Sequence, residues 1–297
     1  MLDLDLSIAY IFAFDMLYLR FWGVRGSLPS PGVETGLFGG NTSCIEIRLR
    51  DESGQSAPIL LDLGTGARQF SLRNRTEDDI VVLLSHVHLD HVQGFTFMPI
   101  LDLPNARIRI FGPRPMPDLS LSVALQSISD PPLFPKRLVE RAAEASFIEI
   151  ESGQIDIGIE GASVRAEFVP HTDITLGYRI SSPTASIAYI TDHQQPVDSE
   201  SVEDAIMSLA RGVDLLIHDA QYTAEEFRHR SNWGHSTFEY ALRVAQCAGA
   251  KRLALFHHDP DRSDDDLSRI VADLQMSADR SGVDLFAATE GQELSLG

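Results

Sequence analysis

The feature that most constrains this chain is the segment Ser-His-Val-His-Leu-Asp-His at residues 85–91, which directly follows the apolar run at residues 80–84. The pattern predicts a buried strand that ends in a metal-binding turn. Side chains two residues apart lie on the same side of an extended backbone, so His86 and His88 can converge on one ion. Asp90 and His91 follow after the chain turns toward a helix and can face a second ion. Imidazole and carboxylate ligands suit divalent metals such as zinc, manganese or iron.

The domain organisation follows from length and spacing. A chain of 297 residues fits one large domain or two small ones. Because no linker-like stretch, low-complexity segment or repeat divides it, we expect one α/β domain over residues 19–297, preceded by an N-terminal extension at residues 1–18. The extension is apolar, but it contains Asp3, Asp5 and Asp15 and has no basic start. These features argue against a signal peptide or a membrane segment.

The charge balance limits the class of partner. The chain has 24 basic and 43 acidic residues, which gives a formal net charge of −19. Because nucleic-acid binding depends on Lys and Arg that neutralise phosphates, we expect no large nucleic-acid partner. A small anionic substrate held by metals is compatible with this charge. The two cysteines, Cys44 and Cys247, cannot form a disulfide framework, which indicates a reducing, cytoplasmic location.

The hydrophobic patterns predict alternating strands and helices. Strands are predicted at residues 17–22, 42–50, 58–62, 80–84, 107–111, 145–150, 163–169, 175–180, 186–190, 213–217 and 252–256. Helices are predicted after residue 66, from about His91, around residues 202–209, after a capping box at Ser236–Glu239, and from Ser263. Polar residues repeatedly end the strands, so the pattern indicates an α/β sandwich whose site lies at the strand ends.

The proline-rich segment at residues 112–141 interrupts this pattern. One interpretation is a lid over the site, with Phe134, Lys136 and Arg137 as candidate substrate contacts. The other is a solvated connection. The sequence does not decide between these two interpretations.

Three further strand ends carry residues able to bind metal. His171 follows the strand at 163–169, Asp192 and His193 follow the strand at 186–190, and the pair His257-His258 follows the strand at 252–256. A single histidine at a strand end is commonly an ordinary turn residue. Three such ends beside the segment at 85–91 supply what a two-metal site still lacks.

With these residues the chain resembles the metallo-β-lactamase superfamily, whose fold is an αββα four-layer sandwich with a dinuclear metal site at one edge. The resemblance implies two divalent ions, with zinc as the first choice and manganese or iron as alternatives. It implies that the first ion is held by His86, His88 and His171, the second by Asp90, His91 and His257, with Asp192 bridging both. His258 is the alternative to His257. His258 and His193 would otherwise contact the ligands or the substrate.

Five short motifs resemble those of the phosphodiesterase branch, which includes cyclic-nucleotide phosphodiesterases and RNase Z. They lie at residues 21–27, 39–43, 62–66, 217–220 and 234–237. The resemblance implies phosphodiester hydrolysis at metals that activate water, with Asp90, Asp219 and His235 as catalytic residues. In this scheme Asp219 orients His235, which protonates the leaving alkoxide. The glycine turns near Asn41 and Gly64 would line the pocket, and Asp62 would support the histidine ligands. The resemblance also implies a homodimer.

Several functions are compatible with this resemblance. The favoured one is hydrolysis of a small phosphodiester, above all a 3′,5′-cyclic nucleotide. An RNase Z-type transfer-RNA endonuclease needs a glycine-rich, basic arm, whereas residues 194–212 offer only Arg211. A hydrolase of thioesters, lactones or β-lactams is disfavoured by the histidine of the 234–237 motif. A di-iron oxidoreductase is disfavoured because His88 is intact, and a non-catalytic sensing module because no metal ligand is missing.

Overall fold

The structure is a computed structural model, and it describes residues 16–51, 54–197 and 201–297. Within these residues fifteen strands form two sheets. The strands of the first sheet are β1 (Met16–Gly23), β2 (Cys44–Asp51), β3 (Gly54–Gln55), β4 (Ile59–Leu61), β5 (Asp79–Leu83), β6 (Arg107–Gly112), β7 (Glu144–Glu149) and β15 (Glu293–Leu296). Those of the second are β8 (Gly153–Ile155), β9 (Ser163–Val169), β10 (Thr175–Ser181), β11 (Ser186–Ile190), β12 (Leu215–Asp219), β13 (Arg252–Phe256) and β14 (Asp284–Ala287).

Helices connect the strands and cover both sheets. They are α1 (Gly66–Arg73), α2 (Leu89–Val92), α3 (Leu121–Ser129), α4 (Asp204–Ala210), α5 (Ala224–Arg230), α6 (Phe238–Ala248) and α7 (Asp264–Ser281). Single 3₁₀ turns lie at Val33–Thr35, Phe95–Phe97, Pro99–Asp102 and Leu138–Glu140. Among the helices described, none combines the length and apolar character that crossing a membrane requires.

The two sheets repeat one arrangement. The order is β15-β1-β2-β4-β5-β6-β7 in the first, with β3 paired to β2, and β14-β13-β12-β11-β10-β9-β8 in the second. Strands β4 to β7 are mutually parallel, as are β11 to β14. The remaining pairs are antiparallel. Parallel strands place their carboxyl ends at one edge of a sheet, which is where α/β proteins bind ligands.

Three apolar cores hold the layers together. The central core lies between the sheets and includes Leu19, Val81 and Tyr178, all fully buried. A second core packs α4, α6 and α7 on the outer face of the second sheet, and a third includes Phe70 of α1 and packs on the first sheet. The layers therefore run helices, sheet, sheet, helices. This confirms the predicted αββα four-layer sandwich, in which apolar faces of both sheets are buried on both sides.

The first strand extends further than predicted. β1 begins at Met16 and pairs with both β2 and β15. Residues 16–18 of the predicted N-terminal extension therefore belong to a strand of the first sheet. Residues 1–15 of that extension lie outside the described residues.

Two predictions in the helical part have different outcomes. The capping box placed at Ser236 was wrong by one residue, because Thr237 is the N-cap of α6 and its hydroxyl accepts a hydrogen bond from the Tyr240 amide at 3.1 Å. Ser236 instead donates its hydroxyl to the His193 carbonyl at 2.6 Å. Ser263 does begin α7 as predicted, accepting from the Asp266 amide.

The proline-rich segment at residues 112–141 does not reach the site. It contains α3 and the turn at Leu138–Glu140, and Phe134 packs edge-on against Phe97 with ring centroids 5.6 Å apart. Lys136 lies 3.8 Å from Asp102. Since neither Phe134, Lys136 nor Arg137 lines the pocket over the histidine turn, the interpretation of these side chains as substrate contacts was wrong.

Candidate metal centre

The first group of metal-capable side chains gathers three histidines around one carboxylate. His86 and His88 leave the extended end of β5, His171 follows β9, and Asp192 follows β11. One ligand atom of each lies within 4.8 Å of the others. Asp192 Oδ1 is 3.7 Å from His86 Nε2 and 3.8 Å from His171 Nε2. As predicted, His86 and His88 lie on the same side of the backbone, and both rings face the same group of ligand atoms.

The second group shares Asp192 with the first and also contains Asp90, His91 and His257. Asp90 and His91 lie in the first turn of α2, whose N-cap is His88. The other oxygen of Asp192, Oδ2, is 3.1 Å from His91 Nε2 and 3.2 Å from His257 Nε2. One carboxylate therefore faces both groups, with one oxygen toward each.

The arrangement of the nitrogen atoms fits divalent metals. His86 Nε2 is buried and has no hydrogen-bond partner among the described residues. The Nε2 atoms of His91 and His257 are 3.3 Å apart, and His171 Nε2 is 3.3 Å from His88 Nδ1. Buried polar atoms normally have partners. Convergent imidazole nitrogens with carboxylate oxygens are the donor set that zinc, manganese and iron accept. The chain therefore carries His/Asp clusters suited to binding divalent metals.

Four of the inward-facing histidines are oriented by a partner on their other nitrogen. His91 Nδ1 is 2.7 Å from Asp62 Oδ2, and His88 Nε2 is 2.7 Å from Asp173 Oδ2. His171 Nδ1 donates to the Gly234 carbonyl at 2.7 Å, and His257 Nδ1 is 3.0 Å from Gln221 Oε1. Such contacts fix the ring orientation and the tautomer of metal-binding histidines. Asp62 thus has the supporting position that the sequence predicted.

The structure distinguishes His257 from His258. His257 points into the second group, whereas His258 Nε2 donates to the Ala288 carbonyl at 2.9 Å and its ring lies edge-on to Phe38. His193 is also turned away, with Nδ1 3.1 Å from His218 Nε2. Neither His258 nor His193 lines the pocket, so neither side chain is placed to contact a substrate there, although the His193 amide does contact Asp219.

Electrostatics favour the metal-binding forms of His86 and Asp192, the neutral imidazole and the carboxylate, but favour the protonated form of His91. Burial lowers the pKa of His86 well below its ordinary value, and His91 adds to the shift. Burial alone would raise the pKa of Asp192, but His257 and His91 outweigh it and hold that pKa well below the usual range. Burial alone would lower the pKa of His91, but Asp192 and Asp90 outweigh it and hold that pKa well above its ordinary value. A divalent cation would take the place of such protons, so binding would release them.

Backbone strain concentrates at this site. Ser27, Asp62, Asp192 and His257 have φ values of 59°, 61°, 48° and 59°, the left-handed region that non-glycine residues rarely adopt. Each is a member of the site or contacts one, since the Ser27 amide donates to Asp90 Oδ2 at 2.7 Å. Residues in such conformations cost of order 1–3 kcal/mol and cluster at functional sites.

A third group lies beside the metal clusters. Asp219, the last residue of β12, places Oδ2 2.9 Å from His235 Nδ1. The same oxygen accepts from the His193 amide at 3.0 Å, and Oδ1 accepts from the Gln221 amide at 3.2 Å. The ring of His235 stacks on His257 with centroids 5.0 Å apart. Asp219 is therefore fixed by two amides and holds His235 next to the second group.

A pocket of about 630 Å³ opens over these groups. It is lined by His88, Asp90, His171, Asp192 and His235 together with Ser27, Leu89, Thr172, Gln221, Tyr222, Arg230, Trp233, Asp259, Pro260 and Asp261. This volume lies within the range of roughly 300–1,000 Å³ typical of small-molecule sites. Asn41 lies in a separate cavity with Glu290, and Gly64 packs behind Asp90. The expectation that both glycine turns line the pocket was therefore wrong.

Comparison with known proteins identifies the family. The model of the beta-lactamase superfamily domain matches residues 58–258, which include the histidine turn after β5 and the pair after β13. The chain belongs to this family. Membership, with the His/Asp clusters, makes this beta-lactamase superfamily protein a metal-dependent hydrolase.

Two sequence relatives are ribonucleases Z. The ribonuclease Z of Limosilactobacillus fermentum is 24% identical over 256 residues, which cover 73% of this chain and 82% of that protein. The ribonuclease Z of Brevibacillus brevis is 36% identical over 86 residues, which cover 29% of this chain and only 26% of that protein.

Solved structures of low identity share the fold. The short form of human tRNase Z superposes with a TM-score of 0.67 at 19% identity, covering 94% of this chain and 99% of that one. A diphosphatase from the PhnP family superposes with a TM-score of 0.65 at 20% identity, covering 95% of this chain and 97% of that one. Both confirm the metallo-β-lactamase fold of this superfamily member.

Sequence reasoning missed several residues around the superfamily site. Asp173 and Gln221, which contact His88 and His257, carry no signal in the sequence because their partners come from distant segments. Helix α5 was also missed, although Thr223 and Glu226 form a capping box that predicts it. Recognising that box would have placed Arg230 at a helix end near the pocket.

Proposed function

We propose that the protein hydrolyses phosphodiesters with two divalent ions, and that its substrate is a 3′,5′-cyclic nucleotide. The observation that carries this proposal is Asp192, whose two oxygens face two separate histidine groups within 4 Å. Two adjacent ions are suited to an in-line displacement at phosphorus, because together they can stabilise both the attacking and the leaving oxygen.

In this proposal the ligands of the first ion are His86, His88 and His171, those of the second are Asp90, His91 and His257, and Asp192 bridges both. The ions would be zinc, with manganese or iron as alternatives, and would supply activated water and charge neutralisation at the phosphate. The ligand atoms of each group lie within 4.8 Å of one another, which supports the assignment.

His235 is proposed as the proton donor to the leaving alkoxide. Its Nδ1 is held by Asp219 Oδ2 at 2.9 Å, so Nε2 is the atom that remains for the substrate. The Asp219 carboxylate fixes the ring and stabilises the charge that His235 carries before it transfers a proton. The ring lines the pocket, where a bound phosphodiester would present its leaving oxygen.

An RNase Z-type endonuclease that acts on transfer RNA is the second candidate. The observation that favours it is the sequence similarity to the ribonucleases Z of two bacteria. The net charge of −19 opposes it, since RNA affinity depends on cationic contacts. In the stretch 194–212, residues 204–210 form α4, whose Ile206 and Leu209 are buried on the second sheet, and Arg211 is the only basic residue of the stretch.

The deciding experiment compares substrates. Metal-loaded protein is incubated with 3′,5′-cyclic AMP, GMP, CMP and UMP and, separately, with a transfer-RNA precursor. We expect cleavage of cyclic nucleotides, abolished by His88→Ala and retained by His229→Ala, whose histidine is exposed on α5 outside the pocket. Cleavage of the RNA alone would make the second candidate the function. Cleavage of neither would reject both and direct the search to thioesters and lactones.

Ionic strength separates the two candidates independently. Binding of RNA weakens steeply as salt is added, because counterions compete for the phosphates. Capture of a small anion by a chain of charge −19 should instead be unchanged or improved when salt screens the repulsion. The measurement is kcat/KM for each substrate between about 20 and 200 mM salt, a range over which the Debye length falls from roughly 20 to 7 Å.

Two further parts of the proposal concern the setting of the enzyme. A cytoplasmic location is supported by Cys44 and Cys247, which are both free thiols. A homodimer is expected from the family resemblance. Light scattering of the purified protein tests the homodimer, and a molar mass near the chain's own 32.8 kDa would contradict it.

A further inference from the structure

The mouth of the metal pocket carries an aromatic side chain that the proposed chemistry does not use. Trp233 lines the pocket and is 57% exposed. The chain's other tryptophan, Trp22, is 6% exposed and packs edge-on against Phe70. A large apolar ring left open at the edge of a concave site is a common mark of ligand recognition.

Trp233 is held in place by a stack of side chains. The guanidinium of Arg230 lies 5.2 Å from the centroid of the Trp233 ring and 5.3 Å from that of the Tyr222 ring. Tyr222 is 1% exposed, and its ring lies edge-on to His235 at 5.7 Å. Arg230 therefore bridges a buried tyrosine and an exposed tryptophan. The arrangement supports the indole through cation–π contacts, which raise its rigidity.

The cation in this stack has a fixed anionic partner. Arg230 Nη1 is 3.2 Å from Asp259 Oδ2, and Asp259 also accepts from the Asp261 amide through Oδ1 at 2.9 Å. Because Asp259 neutralises Arg230, the stack does not form a free phosphate site. What it offers to a ligand is the exposed face of the Trp233 indole that Arg230 does not cover.

The position of Trp233 relative to the metals is set by the next residues in the chain. Gly234 follows it, and the Gly234 carbonyl accepts the Nδ1–H of His171 at 2.7 Å. His235 comes next and is fixed by Asp219. The indole is thus tied through two residues to a histidine of the first metal group and to the proposed proton donor. The indole lines the same pocket as His171 and Asp192, so one molecule can stack a ring on it and place a phosphate at the metals.

We propose that Trp233 binds the nucleobase of the substrate by stacking and so selects nucleoside-bearing phosphodiesters over other diesters. This inference rests on the proposed phosphodiesterase function, which it narrows to a substrate class. Stacking tolerates every base because each presents a π-face, and it contributes roughly 1–3 kcal/mol per base, about 5- to 150-fold in affinity. A cyclic mononucleotide and a nucleotide flanking the scissile bond of an RNA share this chemistry.

The test compares two ligands that differ only in the base. Adenosine 5′-monophosphate and ribose 5-phosphate carry the same phosphomonoester, so both can bind the metals. Affinities for metal-loaded protein are measured by titration calorimetry for the wild type, Trp233→Ala, Trp233→Phe and Phe168→Ala. Phe168 is 43% exposed and does not line the metal pocket, so its variant controls for loss of an exposed aromatic ring.

We expect the wild type to bind the nucleotide about 10- to 100-fold more tightly than the sugar phosphate. Trp233→Ala should remove that difference, Trp233→Phe should keep most of it, and Phe168→Ala should leave it unchanged. With 3′,5′-cyclic AMP, Trp233→Ala should raise KM with little change in kcat. Equal binding of both ligands by the wild type, or a preference that survives in Trp233→Ala, overturns the proposal.

The outcome is separable from that of the proposed function. A Trp233-dependent preference for the nucleotide, in a protein that hydrolyses no phosphodiester, would reject the phosphodiesterase function and retain the base-binding site. Hydrolysis of diesters without any base preference would retain the phosphodiesterase function and reject the base-binding site. Quenching of tryptophan fluorescence by the nucleotide, lost in Trp233→Phe, would report directly on binding at the exposed indole.

Discussion

Asp192 and His88 have different places in the two metal groups, and this difference predicts different metal losses. Asp192 faces both groups, whereas His88 belongs to the first. Asp192→Asn should therefore weaken the binding of both ions, because an uncharged amide oxygen bridges two cations less well than a carboxylate. His88→Ala should lower the metal content by about one ion per chain. The measurement is metal per chain by mass spectrometry after dialysis, with His229→Ala as the control. Full metal content in Asp192→Asn would contradict the bridging role.

His235 is fixed by Asp219 and is absent from both metal groups built around Asp192. His235→Ala should therefore keep its metal and lose roughly 10²- to 10⁴-fold in turnover on a cyclic nucleotide, whose alkoxide leaving group needs a proton. A nitrophenolate leaving group departs without being protonated, so the turnover of a nitrophenyl diester should fall much less in this variant. Measuring both rates in the same variant tests proton donation. An equal loss on the two substrates would remove His235 from that role.

At the scale of elements, the loop before α6 determines where His171 can lie. Gly234 has φ of 91°, and a Cβ at this position would overlap Nδ1 of His171. Gly249, which ends α6, has φ of 66°, but a Cβ added there would meet no atom within 4 Å. Alanine at either glycine should lose about 1 kcal/mol of stability from backbone strain. Only Gly234→Ala should also lose the first metal ion and activity.

The glycine pair makes a controlled comparison, because both substitutions add the same methyl group at positive φ. Denaturant unfolding gives the stability of each variant, and metal analysis gives its ion content. If Gly249→Ala lost metal to the same extent, general destabilisation rather than displacement of His171 would explain the result.

Local patterns predicted the elements well where a pattern is complete within a few residues. β9 and β11 have the predicted bounds, and Ser263 begins α7 as expected. The start of α6 was missed by one residue because Ser236 and Thr237 are both good caps, and the choice depends on the His193 carbonyl that Ser236 binds. Such a contact across distant segments is invisible in a local pattern.

At the scale of the whole molecule, a buried neutral histidine predicts acid sensitivity. Burial, with the nearby His193, lowers the pKa of His218 to about 4. In the unfolded chain the pKa is about 6.5, so between pH values of about 6.5 and 4 the unfolded state binds the proton and the folded state does not. The contribution to stability is full above a pH of about 6.5 and is lost as the pH falls toward about 4.

Urea unfolding of metal-free protein at a pH of about 7 and of about 5 checks this prediction. Over that interval the wild type should lose about 2 kcal/mol more than His218→Gln, since each unit of pH costs about 1.4 kcal/mol for one such group. Other buried groups titrate in both proteins and cancel in the difference. Equal losses of unfolding free energy in the two proteins would show that His218 is already protonated in the folded state at a pH of about 5.

The candidate site was only partly predictable from sequence. The spacing in residues 85–91 and the three polar strand ends indicated a metal site, and the family resemblance implied His86, His88, His171 and Asp192 as ligands, which the structure brings together at the strand ends. His257 was preferred to His258 because it comes first after the strand, but that position alone does not determine the choice. The choice depends on the left-handed backbone at His257 and on the Ala288 carbonyl that binds His258.

The shared site has a consequence for how the protein matures. One half of the chain provides the histidine turn after β5, and the other provides the residues after β9, β11 and β13. Neither half alone contains a complete group of these ligands, so we expect tight metal binding only after the two sheets have docked. Bound metal would then stabilise the assembled chain in proportion to the logarithm of its free concentration. The abundance of the folded enzyme in the cell would therefore depend on the concentration of free metal.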